Sequence, residues 1–176
     1  DINSSLSNIS LQLYEKLIKA GYAKSDIESN EIKKFFRQKI QTFQVDKLGF
    51  REKLIYYQIW VWYSLLIQDF LSSYKYASKW IDTFNKNPEM IKIHPVFYLK
   101  GYNFLLEALA LIKYPSKFKN HLNDLIKEVE SSSFPTNQNL SALIFIYKYN
   151  NLFNLYVLEG NFKDSIKIVP EVLDGI

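Results

Sequence analysis

Residues 54–71, LIYYQIWVWYSLLIQDFL, restrict the possible folds of this chain more than any other stretch. They include no Lys or Arg, and they contain two Trp, three Tyr and nine aliphatic or Phe residues. Such a run forms a membrane-spanning helix, a core helix or an aromatic binding surface. A membrane span needs about 20 consecutive apolar residues, but Gln58 and Ser64 interrupt this run and Gln68-Asp69 end it. The run therefore predicts a core helix, with one face available at the surface, and no insertion into a membrane.

Helical periodicity extends over the rest of the chain. Apolar residues that recur every three or four positions predict a first helix that ends at Ala20-Gly21 and a second from about Asn30 to Gln44. Three pairs of a long and a short helix follow. The predicted long helices are 54–71, 95–113 and 140–159, and the short ones are 74–84, 117–129 and a last helix from about 162. Breaks are predicted at 72–73, 85–88, 114–116, 130–139 and 160–161, and Pro170 is expected to end or kink the last helix.

The three helix pairs recur at a fixed spacing. Shifting the sequence by 44 residues superposes them without a gap and aligns seven sets of three apolar residues. The sets are Ile55/Leu99/Leu143, Val61/Leu105/Tyr149, Leu65/Leu109/Phe153, Ile67/Leu111/Leu155, Phe70/Tyr114/Leu158, Tyr74/Phe118/Phe162 and Ile81/Leu125/Val169. The breaks also align on small residues, Ser72, Ser116 and Gly160. A period of this kind indicates an array of similar helix pairs.

Residues 149–173, YNNLFNLYVLEGNFKDSIKIVPEVL, carry the pattern of a known repeat. The pattern consists of Tyr149, Leu152 and Tyr156 on the first helix, Gly160 at the turn, and Phe162 and Ser165 on the second helix. In these positions the segment resembles a tetratricopeptide repeat. The resemblance implies an all-α fold, a right-handed array of antiparallel helix pairs (a TPR-like α-solenoid), divergent in its period of 44 rather than about 34 residues.

The array predicts the organisation of the chain. Residues 1–50 are interpreted as an N-terminal helix pair that is divergent or caps the array. Residues 51–176 are predicted to form one continuous domain of three tetratricopeptide-like pairs, at about 54–97, 98–141 and 142–176. The last apolar stripe ends close to LDGI without a polar cap, which predicts either further repeats or self-association through the C-terminal helix pair.

Catalytic and cofactor-binding motifs are not recognisable in the sequence. Cys is absent, which excludes disulfides, thiolate nucleophiles and Cys–zinc sites and leaves the compartment of the protein undecided. His94 and His121 have no metal-ligand partner at helical spacing, and five scattered Gly do not build a phosphate-binding loop. We therefore predict a protein that is not an enzyme and has no cofactor and no metal site.

Nucleic-acid binding is not predicted either, despite a net charge of +4. The basic residues are 20 Lys and two Arg, whereas the Arg fork is the side chain that recognises guanine and phosphate best. The predicted partner is a protein or a peptide.

In tetratricopeptide-like arrays the first helices of successive units line a concave groove, so the resemblance implies a binding site there. Its predicted residues are Trp62, Asp69, Asn103, Lys113, Tyr147, Asn150 and Asn154. Asn amides donate to and accept from a peptide backbone, and Trp and Tyr are enriched at binding hot spots. The alternative interpretation is that Trp62 and Tyr147 pack between neighbouring units.

Two other functions remain open at this point. The chain is either a structural or oligomerisation segment of a longer protein, or a helical small-ligand-binding or enzyme domain with an aromatic-lined pocket. An enclosed cavity with converging polar groups favours the second alternative, and a shallow groove favours the interaction scaffold.

Overall fold

Residues 2–40 and 43–175 are described by a computed structural model, with only the backbone described for Ala20. Within these ranges every regular element is a helix, which confirms the predicted all-α class. The chain divides into two compact units, unit 1 (Asp1–Lys86) and unit 2 (Asn87–Ile176). The predicted division into residues 1–50 and 51–176 stays a prediction.

Unit 1 is built around its third helix. Its helices are α1 (Ile2–Ala20), α2 (Asp26–Ile40), α3 (Phe50–Leu66) and α4 (Phe70–Asn85), with a 3-10 turn at Val45–Lys47. Helix α3 packs against α1, α2 and α4, so it is apolar on nearly all sides. Across residues 2–40 and 43–175, each helix is too short or too polar to cross a membrane.

Helix α2 begins four residues earlier than the periodicity predicts. The reason is a pair of capping bonds before its first turn. The hydroxyl of Ser25 accepts a hydrogen bond from the Glu28 amide at 3.2 Å, and the Glu28 carboxylate accepts one from the Lys24 amide at 2.7 Å. The predicted end of this helix at Gln44 is also wrong, since α2 ends at Ile40, and residues 41–42 lie outside the described ranges.

The aromatic run 54–71 is shared between two helices. Its predicted break at Ser72-Ser73 is wrong, because both residues lie inside α4. The chain turns instead at Gln68, which has a left-handed φ of 58°. Asp69 then caps α4 by accepting a hydrogen bond from the Ser72 amide at 3.0 Å, and the Gln68 side chain donates to the Ala23 carbonyl at 2.9 Å.

Left-handed residues recur at the ends of the three long helices. Gln68, Lys113 and Gly160 have φ values of 58°, 56° and 66°, and they stand 45 and 47 residues apart. The ungapped alignment at 44 residues therefore places the first two breaks, Ser72 and Ser116, several residues too late. Only the third break, at Gly160, is confirmed. A Gly marks such a turn in the sequence, whereas Gln and Lys do not, which explains the error.

Unit 2 contains the remaining helices. They are α5 (Met90–Ile93), α6 (Pro95–Leu111), α7 (Pro115–Val129), α8 (Gln138–Glu159), α9 (Phe162–Lys167) and α10 (Val169–Asp174). Helices α6, α7 and α8 pack against one another, and α8 also packs against α9. Pro95 and Pro115 stand in the first turns of α6 and α7, where the missing amide hydrogen has no cost. The predicted interruption before Pro170 is confirmed, because α9 ends at Lys167.

Three of the aligned apolar positions belong to the core in both of the first two long helices. Ile55, Val61 and Leu65 on α3 are buried, and so are their counterparts Leu99, Leu105 and Leu109 on α6. The last helix pair differs: Phe162 is 61% exposed and Val169 is 39% exposed.

Candidate functional site

Two of the predicted site residues, Trp62 and Asp69, belong to unit 1. The Trp62 side chain is only 9% exposed, and its ring stacks on Tyr14 of α1 with 5.1 Å between the ring centroids. Asp69 is exposed and caps α4. Both side chains have a clear structural role within unit 1, and a contact with a partner stays a prediction for both.

The other five predicted residues lie in unit 2. Lys113 is exposed in the turn after α6, and Asn150 is exposed on α8. The remaining three are partly buried: Asn103 on α6, and Tyr147 and Asn154 on α8. Because α6 and α8 pack against each other, these side chains belong to neighbouring helices of one unit.

Asn151, which the sequence reasoning did not select, joins Asn103 to Tyr147. Its side chain is 1% exposed, and its amide nitrogen donates to the Asn103 side-chain oxygen at 3.1 Å and to the Tyr147 carbonyl at 2.8 Å. A buried amide destabilises a protein unless it is hydrogen-bonded, and both amide hydrogens of Asn151 have an acceptor. This residue therefore fixes the position of Asn103 against α8.

Glu107 lies one helical turn after Asn103, and its carboxylate is partly buried. Burial raises the pKa of this carboxyl above its ordinary value of 4.5. Burial also raises the pKa of the Tyr147 phenol, and the negative charge of Glu107 adds a second, smaller contribution. The carboxylate and the phenol are therefore close enough to interact electrostatically. Within the part of the chain that the structure describes, no cation pairs with Glu107 and no group donates a hydrogen bond to it.

We call Asn103, Glu107, Tyr147 and Asn151 the α6/α8 polar cluster. A carboxylate that is partly withdrawn from water and has no partner is costly, and groups with such shifted pKa values concentrate at functional sites. The cluster offers a charged acceptor, a phenol and an amide side by side. Across residues 2–40 and 43–175, His, Asp and Glu side chains do not come together in threes as a metal site requires.

The sequence contains a weak signal for the two residues that were missed. Glu107 follows Asn103 by four residues, and Asn151 follows Tyr147 by four, so each missed residue shares a helix face with a predicted one. Lys100 and Glu107 are also the two charged residues among the 17 of α6. A charge in a mostly apolar helix, on the same face as a predicted site residue, is the weak signal that points to Glu107.

No protein-family model matches the chain, and comparisons with curated proteins and with solved structures gave no significant match. The resemblance to tetratricopeptide repeats therefore rests on the residues quoted above.

Proposed function

We propose that the protein is a non-enzymatic binding module that holds an extended peptide or protein segment on α6 and α8. In this proposal Glu107 pairs with a Lys or Arg side chain of the bound segment. The observation that carries the proposal is the partly buried Glu107 carboxylate, which has no partner among the described residues and stands beside Tyr147.

The chemistry of the cluster supports a basic ligand. A hydrogen bond from Lys or Arg to a carboxylate is about twice as strong as one between neutral groups. Partial withdrawal from water strengthens it further. A bound cation would therefore relieve the cost that Glu107 imposes on the free protein.

Two Asn amides, Asn103 on α6 and Asn150 on α8, support an extended backbone conformation of the ligand. The side-chain oxygen of Asn103 is occupied by Asn151, which leaves its amide nitrogen to donate. Asn150 is exposed on the same helix as Tyr147, and its amide offers a donor and an acceptor to a peptide group.

For the arrangement of the helices we propose the right-handed, tetratricopeptide-like array of helix pairs that the resemblance implies. Two observations support it. Left-handed turns recur at Gln68, Lys113 and Gly160. Within unit 2, α6 packs against both α7, the helix that follows it, and α8, the next long helix.

A randomised peptide library displayed on phage tests the proposed function. We expect selection on the full chain to enrich peptides that contain Lys or Arg. Glu107→Gln keeps the shape of the side chain and removes its charge. It should lower the affinity for the most enriched peptide by about tenfold or more, the effect of losing one charge-assisted hydrogen bond. Fluorescence anisotropy of the labelled peptide measures the affinity.

Glu89→Gln is the matched control for this experiment. Glu89 is exposed in the segment before α5, and its substitution removes the same charge from unit 2. We expect this variant to bind the peptide like the unmodified protein. The proposed function is contradicted if the selected peptides are not enriched in Lys or Arg. It is also contradicted if Glu107→Gln and Glu89→Gln lower the affinity for the peptide equally.

A further inference from the structure

Unit 1 contains a cleft between α2 and α3 with a volume of about 300 Å³. Its walls include Phe36, Arg37 and Ile40 of α2, and Tyr56, Trp60 and Tyr63 of α3. We call these six residues the aromatic cleft. Its volume lies at the lower end of the range for small-molecule sites, about 300–1,000 Å³, and is sufficient for a ligand of two fused rings.

Ring contacts hold the walls of the aromatic cleft in place. Phe36 is 3% exposed, and its ring stacks on Tyr63 at 3.7 Å between centroids and meets Trp60 edge-on at 4.6 Å. Trp60 also stacks on Tyr76 of α4, with 4.4 Å between the ring centroids. Because these rings are already ordered, a ligand that stacks on them loses little affinity to side-chain ordering.

Arg37 adds a positive charge at the rim of the aromatic cleft. Its side chain is exposed, and among the described residues it makes no ion pair or hydrogen bond. Burial raises the pKa of the Tyr63 phenol, and the positive charge of Arg37 opposes this rise, so the guanidinium acts on the same space as the rings. A planar guanidinium pairs with a carboxylate through two parallel hydrogen bonds.

We propose that the aromatic cleft binds a small planar aromatic carboxylate, with its rings among Tyr56, Trp60 and Tyr63 and its carboxylate on Arg37. The rings of Trp60 and Tyr63 lie nearly perpendicular, at 84°, so the aromatic walls select the planar part of the ligand by stacked and edge-on contacts together. The guanidinium selects the negative charge. An aliphatic anion lacks the first interaction, and a neutral aromatic compound lacks the second.

Isothermal titration calorimetry on the full chain tests this proposal with three probes of one shape. They are 2-naphthoate, the neutral 2-naphthalenemethanol and the cationic 2-naphthylmethylamine. We expect 2-naphthoate to bind about tenfold or more tightly than the alcohol, and the amine to bind most weakly, because only the carboxylate forms charge-assisted hydrogen bonds with Arg37.

The two arginines of the chain provide the test variant and its control. Arg37→Gln should remove the preference for the carboxylate and leave the affinity for the alcohol within about twofold, since stacking is retained. Arg51→Gln removes the same charge from an exposed position at the start of α3 and should change neither affinity. Arg37 is exposed, so we expect the variant to fold, and circular dichroism verifies that it does.

Tryptophan fluorescence locates the bound probe. Trp62 and Trp80 are 9% and 0% exposed, whereas Trp60 lines the cleft, so the fluorescence change caused by 2-naphthoate should disappear in Trp60→Phe.

The proposal is overturned if the three probes bind with equal affinity, or if Arg51→Gln lowers the affinity for 2-naphthoate as much as Arg37→Gln does. It is also overturned if 2-naphthoate does not bind at about 10 mM. Tighter binding of the tripeptide Gly-Gly-Trp than of 2-naphthoate also overturns it, because the site would then select a peptide terminus.

Discussion

A carboxylate that is partly buried without a partner, as Glu107 is among the described residues, makes the folded protein less stable than it would otherwise be. Burial raises its pKa, so at pH values between the unfolded and the folded pKa the folded protein binds more protons than the unfolded chain. The free energy of unfolding therefore falls as the pH rises through this interval.

Glu107→Gln should relieve this cost. At pH 7 the variant should be more stable than the unmodified protein by roughly 1 kcal/mol or more, because a neutral amide costs less to withdraw from water than a charged carboxylate. The difference should shrink as the pH falls from the raised pKa of the folded state toward the ordinary glutamate pKa of 4.5, and it should be lost below that value, because the carboxyl is then protonated in both states. Urea denaturation of both proteins at a series of pH values measures this, and equal stability at pH 7 contradicts it.

At the scale of helices, burial in α6 decides which of its apolar residues stabilise the fold. Leu109 is fully buried, whereas Leu111, two positions further along the same helix, is 37% exposed. Helical geometry turns these two side chains in different directions. Both belong to the aligned apolar sets, so sequence alignment alone does not distinguish them.

The two leucines form a matched pair for mutation. Leu109→Ala should lower the free energy of unfolding by about 2–5 kcal/mol, because it leaves a cavity in the core. Leu111→Ala removes the same atoms from the same helix and should cost about 1 kcal/mol or less. Urea denaturation measures both, and a similar cost for the two substitutions rules out this assignment of the core face of α6.

The helices could be predicted well where the sequence carries strong local signals. Pro95, Pro170 and Gly160 marked a helix start, an interruption and a turn, and all three agree with the structure. The first two turns were misplaced because left-handed Gln68 and Lys113 have no sequence signature. Of the α6/α8 polar cluster, Asn103 and Tyr147 were selected, but Glu107 and Asn151 were not, since their importance depends on burial between two helices.

At the scale of the whole molecule, two units carry features suited to different ligands. Unit 2 holds the α6/α8 polar cluster, whose negative charge suits a basic segment, and unit 1 holds the aromatic cleft, whose positive charge suits an aromatic anion. The last two helices, α9 and α10, also expose Phe162, Ile166, Val169 and Leu173. Self-association through these helices stays a prediction.

The location of the peptide site is the central claim of this account, and amide hydrogen exchange on the full chain tests it most directly. Exchange is measured with and without the peptide that the library enriches most. We expect the peptide to slow exchange in α6 and α8, around Glu107 and Tyr147, and to leave exchange in α1 to α4 unchanged. Slower exchange confined to unit 1, or to α9 and α10, contradicts it.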